Sequence, residues 1–189
     1  MHSFAVRAVA GLLLSAVLAG CMPESKEPLA PPSSALPEPR LVGTWFARMD
    51  DDQVYLKIRQ RDGNWFDIAS FDTAKDGKDT LVYYRGYITQ AGSRRIANLQ
   101  EIGSGTNGYF FATYRLESAN RLVVRFVGEK AVADAIKAGR LKGEVKESSL
   151  GNDVTISDEP AHIADFLAGA DAATLFDKSL TFTRTNREP

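Results

Sequence analysis

Few side chains in this 189-residue chain are suited to covalent or acid–base chemistry. Cys21 is its single cysteine, and a thiol is the strongest neutral nucleophile among the side chains. With one cysteine no intramolecular disulfide can form, so any domain here must be stable by its core alone. Of the two histidines, His2 lies in the first seven residues, ahead of the apolar run that begins at Ala8, and His162 stands far from it. One remaining imidazole rules out a His/Cys zinc site and makes any Ser-His-Asp triad depend on His162. The neighbouring Ile163, Phe166 and Leu167 define the apolar face of an expected helix, and His162 falls on its solvated side. No G-x-S-x-G elbow is present. Asp50-Asp51-Asp52 lacks the alternating spacing of a calcium loop and reads as a solvated turn. Gly103-Ser104-Gly105-Thr106-Asn107-Gly108 fits no phosphate-loop spacing and reads as a hairpin tip. These residues assemble no catalytic constellation, so neither an enzyme nor a metal or cofactor is expected.

The surroundings of Cys21 give its thiol a role. Arg7 is the one charge in residues 1–20, and Ala8 to Ala19 is apolar except for Ser15. A dozen helical residues at about 1.5 Å each cover roughly 18 Å, short of a ~30 Å hydrocarbon core, which fits the h-region of a secretory signal. Leu18-Ala19-Gly20-Cys21 resembles the lipobox of bacterial lipoproteins: Leu, two small residues, then Cys. The resemblance implies that Leu18, Ala19 and Gly20 are read by the signal peptidase and that residues 1–20 are removed. Cys21 then carries a diacylglycerol on sulfur and an acyl chain on the new amino terminus. Two or more acyl chains anchor a protein stably at about 0.8 kcal/mol per buried CH₂. Met22 rather than Asp follows the cysteine, which by the same resemblance directs the protein to the outer membrane of a Gram-negative envelope, facing the periplasm.

Behind the cysteine, Met22 to Arg40 holds six of the eight prolines: Pro23, Pro28, Pro31, Pro32, Pro37 and Pro39. Prolines fix φ and remove donors, and only Leu29 and Leu36 offer larger apolar surface. Residues 21–40 are therefore expected to form a disordered tether, reaching roughly 60 Å at ~3.1 Å per residue. Residues 41–189 suffice for one domain. The whole chain is formally −1 and loses only Arg7 with residues 1–20, so there is no basic surplus for nucleic acid.

From Leu41 the sequence reads as short alternating runs separated by turn residues. Strands are expected at 41–48, 53–60, 65–73, 80–90, 94–102, 109–117 and 121–127, with Asp62-Gly63-Asn64 a strong hairpin signal. A helix over 129–138 stops at Gly139, and a second, over 159–168, is capped by Asp158. Short edge strands flank the Gly151-Asn152 turn between them, and 180–184 is a last strand. A long antiparallel meander tends to curl, because closure removes exposed edges. The fold class is mainly β: an antiparallel barrel or strongly curled half-barrel of about eight strands, with two short helices before the last strand. Gly43-Thr44-Trp45 on the first strand, with Arg184 on the last, resembles lipocalins and related calycin barrels. That likeness implies that Trp45 packs at the closed end under Arg184, a cation over an indole face worth about 0.5–2 kcal/mol. The C-terminal half also resembles envelope lipoproteins of unassigned function, a likeness that implies a fold and no activity.

Two strands carry aromatic residues on both faces. Tyr83, Arg85 and Tyr87 oppose Val82, Tyr84, Gly86 and Ile88; Tyr109, Phe111, Thr113 and Arg115 oppose Phe110, Ala112, Tyr114 and Leu116. The sequence leaves open which set looks inward. Tyr/Arg faces turned inward would suit an anionic or aromatic ligand; turned outward they form a partner surface or a solvated wall. Two functions follow as expectations. One is a lipid-anchored binding module holding a small apolar or amphipathic ligand. The other is a structural adaptor touching another envelope protein or the cell wall.

Overall fold

The computed structural model describes residues 22–49, 52–73, 79–148, 151–169 and 172–187. Leu18, Ala19, Gly20, Cys21, Asp50, Asp51 and the expected turn at 75–78 lie outside the described residues. The strands are β1 (Glu24–Ser25), β2 (Gly43–Met49), β3 (Asp52–Gln60), β4 (Trp65–Thr73), β5 (Asp79–Ala91) and β6 (Arg94–Ile102). They continue with β7 (Phe110–Ser118), β8 (Arg121–Phe126), β9 (Gly143–Ser148), β10 (Gly151–Ile156) and β11 (Lys178–Thr185). Among the described residues the α-helices are α1 (Glu129–Lys137), α2 (Pro160–Gly169) and α3 (Ala172–Leu175), with single 3-10 turns at Pro32–Ser34, Pro39–Leu41 and Asp62–Asn64.

Strands β2 to β8 form an up-and-down antiparallel sheet, and β11 closes it by pairing with both β8 and β2. The expected eight-stranded antiparallel barrel is thus fully closed. Alternation along β3 shows the local cause: Val54, Leu56 and Ile58 point inward, while Tyr55, Lys57 and Arg59 point out. An apolar interior under a wall carrying Lys57, Arg59, Asp67 and Arg85 is the reverse of a membrane-spanning barrel.

Closure is held at one end by the pair implied by Gly-x-Trp. Trp45 is fully buried, and its indole Nε1 donates to Leu41 O at 2.8 Å. Arg184, directly opposite it on β11, places Cζ 4.2 Å from the indole centroid. The same guanidinium donates to Val42 O (2.6 Å), Arg40 O (2.7 Å) and Ala119 O (3.0 Å), tying first, last and penultimate barrel strands together. Gly43 makes room for it. A Cβ there would lie 2.2 Å from Arg184 Nη1, and φ is +137°, a region that L side chains rarely adopt.

A second layer covers one outer flank. Strands β1, β10 and β9 form a three-stranded sheet, parallel between β1 and β10 and antiparallel between β10 and β9. This sheet, α1 and α2 enclose a core with Val132, Ile156, Ile163, Leu167 and Phe176. It meets outward-facing Ala91, Ile96 and Phe111 of the barrel wall. The second expected helix begins at Pro160 rather than 159, and Asp158, expected to cap it, instead accepts from the backbone N–H of Glu159 and of Lys142, each at 2.9 Å. Arg94 donates to the carbonyls of Leu167 and, at 2.9 Å, Ala168, satisfying the end of α2.

The reading of residues 22–40 as a disordered tether is corrected. They lie strapped along the barrel wall. Ser25 exchanges backbone bonds with Tyr109 (2.8 and 2.7 Å), Leu36 N donates to Ile88 O (2.8 Å), and the Tyr87 hydroxyl donates to Ala30 O (2.7 Å). Buried Asn98 accepts from Leu29 N at 2.9 Å and donates to Thr89 Oγ1 at 2.8 Å. Leu29 is itself buried. The prolines fix φ before docking, so less entropy is lost; Pro32 and Pro39 open single 3-10 turns, and wall residues supply many of the remaining hydrogen bonds.

Removing the clasp at Arg184 has a defined cost. Arg184→Ala is expected to lower the unfolding free energy by about 2–4 kcal/mol, from the cation–π contact and charged hydrogen bonds lost. Arg184→Lys keeps the charge but not the fork, and falls between the two. Urea denaturation measures this; midpoints unchanged by Arg184→Ala would contradict the clasp.

Candidate ligand cavity

Inside the barrel the inward side chains do not fill the space. A cavity of ≈ 160 Å³ remains, walled by Leu56, Ile58, Phe66, Ile68, Ile88, Ala97, Phe110, Leu122, Val124 and Phe182, among others. Leu41 and Phe182 lie toward the Trp45–Arg184 end. At the other rim the lining becomes Asp72, Thr80, Glu101 and Phe126, all partly exposed, together with Met22. Among the described residues the cavity therefore runs from a closed end to an open mouth.

The open question of the two strand faces is resolved by register. On β5, Val82, Tyr84, Gly86 and Ile88 line the cavity, and on β7 Phe110, Ala112 and Tyr114 do. Tyr83 and Arg85 look outward, Arg85 Nε donating to Asp67 Oδ1 at 3.1 Å. Tyr87 is also on the outer face, buried beneath the N-terminal strap with its ring against Trp65. The interior thus holds no arginine to receive an anion in its middle.

Polar groups sit at the two ends. At the closed end, Glu38 of the strap is 3% exposed. Its Oε1 accepts from Arg40 Nε at 2.8 Å; Oε2 accepts from Arg40 Nη2 (2.9 Å), Arg95 Nη1 (2.7 Å) and the inward-facing Tyr114 hydroxyl (3.2 Å). The Arg40 hydrogen bond holds the Glu38 carboxyl below the usual carboxylate range against desolvation, helped by Tyr114 and Arg95. Sequence reading missed Glu38, because Arg95 and Tyr114 lie 57 and 76 positions away.

At the open end, Asp72 is an inward-facing carboxylate that accepts from Ser70 Oγ at 3.1 Å. Burial pushes its pKa up, and nearby Asp52 adds to this. Tyr84, three strand positions inward of Leu81, is pushed up to about 12 by burial, with Glu101 and Asp72 contributing. The mouth is therefore an apolar well with hydroxyls and carboxyls at its lip. Such a lip accepts a hydrogen-bond donor or cation on an otherwise apolar molecule.

His162 stands apart from all of this, on α2, with Nδ1 2.7 Å from Asp158 Oδ2 and the ring half exposed. Among the described residues no group of three His, Cys, Asp or Glu side chains is placed to share a metal ion.

No protein-family model matches the chain. No curated protein matches it either. It is similar to a solved structure described as a de novo designed fluorescence-activating β-barrel, at 17% identity and a TM-score of 0.35, over 76% of this chain and 93% of that one. The barrel assignment stands on the strand pairing above.

Because folding raises the pKa of Asp72, this site favours the folded state most when the carboxyl is protonated, and that contribution is lost as pH rises through the folded pKa. Asp72→Asn is expected to be more stable than the parent at pH 7, with the gap closing as pH falls through the carboxylate range. Urea midpoints at several pH values test this; a less stable Asn variant at pH 7 would show that the carboxylate is compensated.

Proposed function

We propose that this chain is a lipid-anchored binding module of the bacterial cell envelope, holding a small apolar or amphipathic ligand inside its barrel. The ≈ 160 Å³ apolar cavity, closed at one end and open at the other, carries this reading. A void lined by aliphatic and aromatic side chains, on the order of 150 Å³, stays dry and takes up benzene-sized molecules. At about 24 cal/mol per Å³, unfilled space of this size forfeits on the order of 4 kcal/mol of packing, which a bound apolar group restores. The volume suits a single small ring or the end of one hydrocarbon chain rather than a drug-sized molecule. Hydroxyls and carboxyls at the mouth leave a polar head in water.

Localisation rests on Leu18-Ala19-Gly20-Cys21. Acylation at Cys21 holds the barrel at a membrane surface, and Met22 in the next position favours the outer membrane, facing the periplasm. No catalytic role is assigned.

Titration with a fluorescent apolar probe tests the cavity. Ala97 faces the cavity, and Ala97→Phe fills it from one wall. The parent is expected to bind the probe saturably, and Ala97→Phe to weaken binding at least tenfold with circular dichroism unchanged. Equal binding by both proteins would place the probe elsewhere. No binding by either would move the reading to the adaptor alternative, contact with another envelope protein or the cell wall.

A further inference from the structure

Three features that belong to different parts of the sequence meet at the open rim. The first is the mouth itself, with Asp72, Thr80 and Glu101 at its lip. The second is the beginning of the strap. Met22 lines the cavity, and the Ser25–Tyr109 bridge fixes the chain there, beside the loop that joins β6 to β7. The third is an apolar patch on the outer wall. Leu81, Tyr83 and Ile102 are 50%, 54% and 49% exposed, and among the described residues only Val42 joins them as an exposed large apolar side chain. Tyr83 and Ile102 are directly paired across β5 and β6, and Leu81 is on the same face two residues before Tyr83, next to the start of β5. Scattered exposed apolar residues need no explanation; three clustered beside a ligand mouth do.

We infer that this rim is a membrane-docking face: the barrel stands mouth-down on the lipid bilayer, and its ligand enters from the bilayer without crossing water. The inference deepens the proposed function and rests on its reading of Cys21 as the lipid anchor. A long flexible tether would let the barrel take any orientation, but residues 22–41 are spent along the barrel wall. Consecutive Cα atoms are about 3.8 Å apart, so a lipid carried by the residue before Met22 starts within a few ångströms of the mouth. No slack remains to lift the mouth from the surface. Tyr83 suits the depth at which it would lie, since an aromatic ring with a polar tip favours the headgroup region, and Leu81 and Ile102 gain by leaving water. The opposite end, with Gly63, Asn120 and the Arg184 clasp, would face the aqueous compartment. The occupant suited to the cavity is then a hydrocarbon tail of a membrane amphiphile, its head remaining at the polar lip.

Site-directed spin labelling tests the orientation. Acylated protein is isolated from membranes, its acylation checked by mass, and reconstituted in phosphatidylethanolamine–phosphatidylglycerol vesicles. Nitroxides are attached at Tyr83→Cys or Ile102→Cys on the rim and at Asn120→Cys on the far end; an acylated Cys21 leaves no competing thiol. The rim labels are expected to collide with oxygen several-fold more, and with a water-soluble nickel chelate several-fold less, than the label at 120. Equal aqueous exposure at both ends would overturn the docking face. So would an unacylated mass, or rim labels shielded in native envelopes but not in pure lipid vesicles, which would indicate a protein partner. Probe binding by the same samples separates the two proposals: aqueous rim labels with probe binding intact sink the orientation alone, and shielded rim labels without probe binding sink the ligand reading alone.

Discussion

The pairing of β11 with both β8 and β2 is the constraint on which the rest of the structure depends. An open sheet of seven strands would leave two edges and one exposed apolar face. Adding β11 removes both edges and turns the apolar face into an interior. The closing strand comes from the far end of the chain, so closure must be won against a large loop, and Arg184 over Trp45 is the contact that rewards it. From that one act follow a cavity, an inside and an outside for every strand, and a distinction between a sealed end and an open one.

The strap makes that distinction asymmetric. It begins at the open rim with Met22, crosses the wall by way of Leu29, Ala30 and Leu36, and ends as the floor of the barrel. There Glu38 binds Arg40, Arg95 and Tyr114, and Leu41 accepts from Trp45. A buried carboxylate with four donors in range is costly to break and poor to relocate, so it fixes register more than it adds stability. One segment thus links the place where a lipid would be carried to the place where the barrel is shut. On the proposed function, ligand access and membrane attachment lie at the same end.

Much of the barrel was legible because period-2 alternation and turn residues survive in β3, β4 and β6 wherever one face is wet. The hairpin at Asp62-Gly63-Asn64 was legible for the same local reasons; Asp158 was read as the cap of the second helix, but that helix begins at Pro160 and the Asp158 carboxylate instead accepts from Glu159 N and Lys142 N. Legibility failed where a strand is covered on both sides. On β5, Tyr87, Thr89 and Ala91 face outward yet are buried beneath the strap and α2, so both faces read as apolar. The strap was misread because its stability is largely borrowed: its own structure is limited to single 3-10 turns at Pro32–Ser34 and Pro39–Leu41, and its partners Asn98, Tyr87 and Ile88 lie far along the chain. Leu29 and Leu36 were the available signal. β1 was missed for a related reason, being two residues long and defined by pairing with β10 and with Tyr109, both far along the chain.

The central claim is that the barrel interior is a ligand site. Native mass spectrometry of the processed protein, purified from envelopes in mild detergent, tests it most directly. The account expects a reproducible extra mass beyond the acylated chain, lost on denaturation and identified as a small apolar or amphipathic molecule. A mass equal to that of the acylated chain alone, unchanged after incubation with apolar probes, would contradict it.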